Sequence, residues 1–302
     1  SASDLLVTSF LSCILATMCV VGAVGNIYTL VVTTVSMRCT GSMYVYIVNL
    51  ALADLLYLST IPFVVCTYFV RDWYFGDLGC RILFSLDLLT MHASIFILTI
   101  MSTERYLAVA RPLATLRRSR DHRRAVTCLV WLVAFLLALP SMILIDLRTS
   151  HRDGVTKRMC HPTWRMGTYK VYLTVLFNTC ILAPGVIICC VYAKLARTYW
   201  RSQRALVLHT KQTRRCPRQK VLYMIFSIVL AYWACFVPFW LWQLFSIYWY
   251  ERGERGGTAV VPINFLVTCL AYSNSCVNPF LYTLLSKNYS EHLRSRHRAA
   301  PS

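Results

Sequence analysis

Charged residues are scarce in this chain, and acidic ones are the scarcest. Only 14% of the 302 residues are charged, and aspartate and glutamate together number 12, whereas 57% of the residues are hydrophobic. A soluble domain of this length cannot bury that much apolar surface. The composition therefore excludes an ordinary soluble protein and favours a membrane protein.

The sequence also lacks the residue sets that several other functions need. It has no Cys-x-x-Cys pair or histidine cluster for a metal and no nucleophile with a base for an enzyme. A retinal protein needs a lysine in its last helix, but the nearest one is Lys287, past the end of the last apolar segment. The two halves show no repeat of the transporter kind. A ligand-gated channel stays an alternative that conductance measurements would test.

Several apolar runs approach or exceed the roughly 18 to 20 residues that cross a bilayer as a helix. We predict an all-α membrane protein, a seven-transmembrane helix bundle that forms a single domain over residues 1–302. A short C-terminal amphipathic helix, residues 287–297, is predicted to lie along the membrane surface, with Tyr289 and Leu293 on one face. The predicted spans are residues 6–35, 44–70, 77–111, 122–145, 168–203, 217–249 and 260–285.

The basic residues orient this bundle. The net charge is +19, and most of the 31 lysines and arginines lie on one side if the amino terminus is extracellular. Because positive charge accumulates in cytoplasmic loops, we predict a multi-pass protein of the plasma membrane with a cytoplasmic carboxyl terminus. Membrane lipid is then the expected partner of these charges, and nucleic acid is not. Since the chain begins at Ser1 without a methionine, we also expect both ends to be trimmed.

Two of the 14 cysteines fall on the predicted extracellular side. Cys80 begins the third span, and Cys160 lies in the loop between the fourth and fifth spans. Both face an oxidising compartment, so we predict a disulfide between them. This bridge closes a loop of about 80 residues and holds the loop over the mouth of the bundle.

A single carboxylate interrupts the outer half of the third span. Asp87 lies in an apolar helix, where a charge costs roughly 2.5–3.5 kcal/mol and usually faces a cavity or a partner. The functional interpretation is an ion pair with a ligand cation, and the structural alternative is a bridge to a tyrosine such as Tyr272. The position favours a membrane receptor, with a binding position at one end of the helix and a charged triplet at the other.

Motifs at the predicted cytoplasmic end indicate a conformational switch. Glu104-Arg105-Tyr106 places a guanidinium beside its own carboxylate, and Asn278-Pro279-Phe280-Leu281-Tyr282 puts a helix-loosening proline before a tyrosine. Pro238 gives the sixth span a second hinge. Each proline alone is weak support, because membrane helices often contain proline. The combination with Glu-Arg-Tyr is specific.

On these motifs the chain resembles the class A, or rhodopsin-like, G-protein-coupled receptors over essentially its whole length. The further matches are Gly25-Asn26, Leu-Ala-Leu-Ala-Asp54, Trp131, Pro184 and Cys-Phe-Val-Pro238. The resemblance implies a heterotrimeric G protein as partner and no enzymatic activity. The residues that it implies for coupling and switching are Glu104, Arg105, Tyr106, Tyr192, Phe236, Pro238, Asn278, Pro279 and Tyr282. Phe236 stands where most of the family has tryptophan.

Within that family the chain is most similar to receptors of the urotensin-II type, with somatostatin and opioid receptors as near neighbours. The similarity lies in residues 42–49, 89–96, 233–243 and 272–279. It implies a disulfide-cyclised peptide agonist with a Phe-Trp-Lys-Tyr core whose lysine meets Asp87, and a Gq-type protein with calcium signalling. A somatostatin- or opioid-like receptor coupled to a Gi-type protein is the alternative. The predicted ligand-binding residues are Asp87, Met91, Phe239, Trp240, Gln243, Phe177, Tyr272 and Trp73.

The family positions also bring polar side chains around Asp54. A buried carboxylate with hydroxyls and amide carbonyls suits a small hard cation. We therefore expect a candidate allosteric sodium site, with a polar network that holds water or a protonated Asp54 as the alternative. Its predicted residues are Asp54, Ser94, Asn274, Ser275 and Asn278, with Asn26 beside them.

Overall fold

Long helices make up most of the computed structural model of the chain. The structure describes residues 2–36, 43–70, 72–111, 120–162, 165–207, 217–250 and 260–298. Most of these residues form seven helices, of which the second and the fifth are interrupted. In chain order the helices are Ala2–Ser36, Tyr44–Leu58 with Ile61–Val70, Gly76–Ala110, Arg120–Leu144, Met166–Phe177 with Ala183–Val207, Pro217–Tyr250, and Val260–Arg298.

Proline explains the two interruptions. The second helix breaks at Ser59 and Thr60, and the break ends two residues before Pro62, which has no N–H to continue the hydrogen-bond pattern. The fifth helix contains a π-helical segment, Asn178–Leu182, which ends two residues before Pro184. A π turn adds a residue and absorbs the missing bond. Both interruptions lie beside the candidate site.

The helices form a bundle in which the third helix is central. It packs against the second, fourth, fifth and sixth helices, while the first and last helices pack against each other. Among the described residues, six helices are long and apolar enough to cross a membrane. The last helix completes the bundle by packing on the first and sixth.

The carboxyl-terminal segment is helical and continues the last helix. Residues 287–297, predicted as a separate surface helix, belong to Val260–Arg298 without a non-helical residue between them. The side chains after Tyr282 lie outside the described residues, and so does the predicted apolar face of Tyr289 and Leu293.

A β-hairpin, which the sequence analysis did not predict, joins the fourth and fifth helices. Strands β1 (Ile145–Arg152) and β2 (Val155–Pro162) pair antiparallel. The structure confirms the predicted disulfide, which joins Cys160 of β2 to Cys80 of the third helix with a Cα–Cα distance of 5.8 Å. We call this the hairpin end of the bundle, and the end that holds Glu104 the opposite end.

Two ionic clusters attach the hairpin to the helices. Asp72 accepts hydrogen bonds from the backbone N–H groups of Trp73, at 2.9 Å, and of Arg158 in β2, at 2.7 Å. Arg81 contacts Asp77 at 3.0 Å and Asp146 at 2.8 Å, so it joins the third helix to the start of β1. The hairpin is therefore fixed at both strands, in addition to the disulfide.

We expect Asp72→Asn to loosen β2 without releasing the disulfide. An amide keeps the shape of the side chain but accepts weaker hydrogen bonds than a carboxylate does. Hydrogen exchange at the amides of Trp73 and Arg158 should be several-fold faster than in the parent protein. Asp153→Asn is the matched control, since Asp153 lies in the hairpin turn at φ 53°, where asparagine is well tolerated. Equal exchange at both amides in the Asp72 variant and the parent would contradict this role.

The anchoring by Asp72 should not vary over physiological pH. The backbone N–H of Arg158, helped by the N–H of Trp73 and the Arg158 guanidinium, lowers the pKa of Asp72 below its ordinary value of 3.8. A carboxyl group whose pKa is depressed on docking contributes fully above the ordinary value and loses its contribution as the pH falls through the lowered one. Protection of β2 should thus stay constant from about pH 5 to 8 and fall only in strong acid.

Candidate functional site

Asp87, near the hairpin end, is a carboxylate that pairs with no cation among the described residues. It lies on the third helix, half-buried, and its Oδ1 atom is buried without a hydrogen-bond partner. Among the described residues, no hydrogen bond or ion pair involves its side chain. Because a charge in a membrane span is costly unless it is paired, this arrangement suits a cation that comes from outside the chain.

The structural alternative for Asp87 was a bridge to Tyr272, and the structure shows a different partner. The Tyr272 hydroxyl forms a 2.5 Å hydrogen bond with Thr60 Oγ1, at the break of the second helix. Tyr57 and Tyr272 lie within electrostatic reach of Asp87, but neither is hydrogen-bonded to it in the described residues. Thr60 thus holds Tyr272 and leaves the carboxylate available.

Aromatic rings connect the surroundings of Asp87 to the sixth helix. Tyr272 stacks on Tyr57 with ring centroids 4.4 Å apart, and Tyr57 lies 6.2 Å from Phe236. Phe236, the residue in place of the usual tryptophan, lies 4.6 Å from Tyr232 one turn along the same helix. These rings therefore connect the two tyrosines within electrostatic reach of Asp87 to the hinge helix.

The other predicted ligand-binding residues occupy two kinds of position. Half-buried ones, which retain surface for a ligand, are Phe177, Phe239 and Gln243. Met91 and Trp240 are buried, at 2% and 1% exposure, and form the wall of the bundle beneath the half-buried residues. Their contact with a ligand stays a prediction.

Trp73 has a packing role in this structure. It is 3% exposed and forms a small cluster with Cys80 and Ile145 under the hairpin. Its indole N–H donates to the carbonyl of Gly76 at 2.7 Å. Trp73 thus supports the disulfide and the hairpin, and a ligand contact at this residue stays a prediction.

A second polar site surrounds Asp54 in the middle of the bundle. The Asp54 carboxylate accepts hydrogen bonds from the Ser275 hydroxyl and from Asn278 Nδ2, each at 3.1 Å. Asn278 Nδ2 also lies 3.5 Å from Asn274 Oδ1. The structure therefore brings Asp54 together with three of its predicted neighbours, all of them on the last helix.

Two further oxygens at this site are buried and have no hydrogen-bond partner in the part of the chain that the structure describes. They are Oδ1 of Asn26 and Oδ1 of Asn278. Asn26 is fixed by its Nδ2 group, which donates to the Ser275 carbonyl at 2.9 Å. Ser94 is buried, but no hydrogen bond joins it to Asp54 within the described ranges. Carboxylate, hydroxyl and unsatisfied amide oxygens together form a donor set that fits a hard cation.

The charged triplet lies at the opposite end. Glu104 is buried, accepts a 2.6 Å hydrogen bond from the Tyr46 hydroxyl, and contacts Arg123 at 3.4 Å. Neither contact was predicted. Tyr46 lies 58 residues and Arg123 lies 19 residues from Glu104 in the sequence, and no local pattern connects either residue to it. Glu104 thus joins the second, third and fourth helices.

The remaining predicted switch residues lie in or beside the helix core. Tyr192 packs against Phe226 of the sixth helix, with ring centroids 5.2 Å apart. The Tyr282 hydroxyl, three residues after Pro279, is buried and has no hydrogen-bond partner among the described residues. Pro279 itself packs so near the first helix that a Cβ on Gly25 would lie 3.0 Å from it. Arg105 and Tyr106 follow Glu104 on the same helix, and their roles stay predictions.

Comparison with known proteins identifies what the chain is similar to. The family described as "7 transmembrane receptor (rhodopsin family)" matches residues 25–282. The urotensin-2 receptor of Homo sapiens is 53% identical over 302 residues, which cover 100% of this chain and 75% of that receptor. The Bos taurus protein of the same name is 52% identical over 311 residues, covering 100% and 77%. The somatostatin receptor type 4 of Rattus norvegicus is 32% identical over 288 residues, covering 92% and 70%.

Proposed function

Because this chain belongs to the rhodopsin family of seven-transmembrane receptors, we propose that it is a receptor for a cyclic peptide of the urotensin-II type. The family match confirms the predicted seven-helix membrane bundle and the prediction that the protein is a receptor and not an enzyme. The peptide class is supported by the names of relatives that are more than half identical along the whole chain.

One observation carries the ligand assignment. Asp87 has no cation partner among the described residues, although it lies in a membrane span beside aromatic side chains. A lysine of the peptide supplies the missing positive charge. The aromatic residues of the peptide pack on the half-buried side chains of Phe177 and Phe239. The charge-assisted contact in a desolvated site then gives both affinity and selectivity.

Coupling follows at the opposite end of the bundle. With the amino terminus extracellular, the hairpin faces the peptide, and Glu104 and Arg105 face a heterotrimeric G protein in the cytoplasm. We assign a Gq-type protein, with phospholipase C and calcium release, and a plasma membrane location. The basic residues at the cytoplasmic end also bind anionic lipid heads.

The direct test is calcium mobilisation in cells that express the chain. Urotensin-II should give a calcium response at concentrations at which somatostatin and opioid peptides give none. A response to somatostatin with inhibition of cyclic AMP would instead support the Gi-type alternative. The 32% identity to the rat somatostatin receptor type 4 is the reason for testing this alternative. No response to any of the three peptides, with the receptor at the cell surface, would contradict the proposed ligand class.

Ligand and G protein should raise each other's affinity. Binding at Asp87 favours outward movement of the sixth helix about Pro238, which opens a groove at Arg105 for the partner. Because this coupling is a thermodynamic linkage, it must act in both directions. We expect agonist affinity to rise roughly fivefold or more when purified Gq-type protein is added to the receptor in nanodiscs. Equal affinity with and without the G protein would exclude this mechanism.

A further inference from the structure

A histidine that the proposed ligand contacts do not use lies in the centre of the bundle. His92 follows Met91 on the third helix and is 0% exposed. An imidazole buried inside a protein needs partners for both ring nitrogens, because burying a polar group without a hydrogen bond is costly. Its neighbours therefore show what it does.

Both nitrogens of His92 have partners, and the partners define the tautomer. Nδ1 lies 2.8 Å from the carbonyl of Leu88, which only accepts, so Nδ1 carries the proton. Nε2 then accepts, and it lies 2.9 Å from the hydroxyl of Thr179. This second bond runs from the third helix to the fifth.

Thr179 belongs to the π-helical segment of the fifth helix, Asn178–Leu182. Its hydroxyl also lies 3.1 Å from the carbonyl of Leu176, one turn back. The hydroxyl has one proton for two acceptors. Donation to His92 satisfies Nε2, whereas donation to Leu176 leaves a buried nitrogen without a partner. The interhelical bond is therefore favoured.

The next residue of the same segment makes a second connection. Cys180 Sγ lies 2.9 Å from the Tyr232 hydroxyl, which lies 3.4 Å from the carbonyl of Met91. Two successive residues of the π segment are thus joined to two successive residues of the third helix, once directly and once through the sixth helix. Polar contacts of this kind are strengthened by the low dielectric of the interior.

We propose that the His92–Thr179 hydrogen bond holds the π turn of the fifth helix in register and thereby positions the ligand-binding face of that helix. A π turn contains one residue more than the α-helical turn that would replace it, and one residue corresponds to about 100° of rotation in an α-helix. Loss of the bond lets the π-helical segment change to an α-helical turn. This change rotates Phe177 and the residues before it away from the predicted ligand-binding site. His92 and Thr179 are positioning residues and do not touch the ligand.

The first test compares variants that remove the hydrogen bond with one that keeps it, and each new side chain is close in shape to the original. Thr179→Val replaces the hydroxyl by a methyl group, Thr179→Ser keeps it, and His92→Phe keeps a ring against Phe96, whose centroid lies 5.6 Å away. Thr99→Val is the control, because the Thr99 hydroxyl donates only within its own helix, to the Ile95 carbonyl. The readout is the affinity of urotensin-II at equal surface expression, and this arm rests on the proposed function.

We expect Thr179→Val to weaken peptide binding about tenfold, the scale of one buried hydrogen bond, with Thr179→Ser and Thr99→Val close to the parent. The double variant of Thr179→Val and His92→Phe should lose no more than the more damaging single variant. Parent-like affinity in Thr179→Val, or single losses that multiply in the double variant, would overturn the proposal.

A second measurement does not depend on the ligand. Nitrogen NMR of ¹⁵N-histidine receptor in nanodiscs, with the signal assigned by its loss in His92→Phe, should show the Nδ1–H tautomer. Thr179→Val should shift the Nε2 resonance, while Thr99→Val leaves it in place. An Nε2–H tautomer or an unmoved Nε2 resonance would overturn the inference even if the peptide assignment holds. If urotensin-II does not bind the parent receptor, the proposed function fails and this measurement decides the inference.

Discussion

Asp87→Asn should abolish the response to a lysine-bearing cyclic peptide while the receptor still reaches the cell surface. Asparagine fills the same volume, so the fold should tolerate it, and no hydrogen bond of the described structure depends on the Asp87 side chain. What disappears is the charge that meets the ligand cation. Loss of one partner from a desolvated charge pair costs several kcal/mol, so we expect potency in a calcium assay to fall roughly 100-fold or more.

A double-variant cycle shows whether the charge of the peptide lysine is the cause. The parent receptor should lose potency when an uncharged residue of the same length replaces the lysine. The Asp87→Asn receptor should lose little further potency with that analogue, because the pair is already broken. Unchanged potency of the parent peptide at the Asp87→Asn receptor, with normal surface expression, would rule out the ion pair.

The features that the sequence predicted correctly depend on few residues or on strong local chemistry. Hydrophobic length predicted the helical membrane spans, and the position of Cys80 and Cys160 on one side of the membrane predicted their disulfide. The family positions predicted that Ser275 and Asn278 lie near Asp54, and both donate hydrogen bonds to it. The two residues are about one helical turn apart, so both reach the same carboxylate. Such features survive small errors in helix ends.

Other features depend on how the helices rotate and pack, which the sequence does not specify locally. The contact of Tyr46 with Glu104 and that of His92 with Thr179 join helices whose relative rotation is fixed only by the whole core. The burial of Trp240, at 1% exposure, likewise depends on the rotation of the sixth helix, which its aromatic run does not reveal. The hairpin was missed because its strands are mostly polar and show no clear alternation of apolar and polar residues.

The centre of the bundle provides the second large expected effect. We propose that sodium binds at Asp54, where Ser275 already contacts the carboxylate and the Oδ1 atoms of Asn26 and Asn278 remain unsatisfied. A cation there offsets the cost of burying the carboxylate and supplies a partner for the amide oxygens. The sixth helix packs on the last helix, which carries Ser275 and Asn278, so we propose that the outward movement favoured by the agonist changes this site.

Agonist affinity should therefore fall roughly fivefold or more as sodium replaces a large organic cation at constant ionic strength. An ion that binds the resting state better than the active state must oppose the agonist by linkage. Asp54→Asn should remove this dependence, and Ser275→Ala should reduce it more than Ser94→Ala, because of these two serines it is Ser275 that donates a hydrogen bond to Asp54 among the described residues. Binding of a labelled peptide at several sodium concentrations measures all four receptors. A salt response identical in Asp54→Asn and the parent would exclude this site as its cause, since the variant keeps the shape of the site and lacks only the charge that holds the ion.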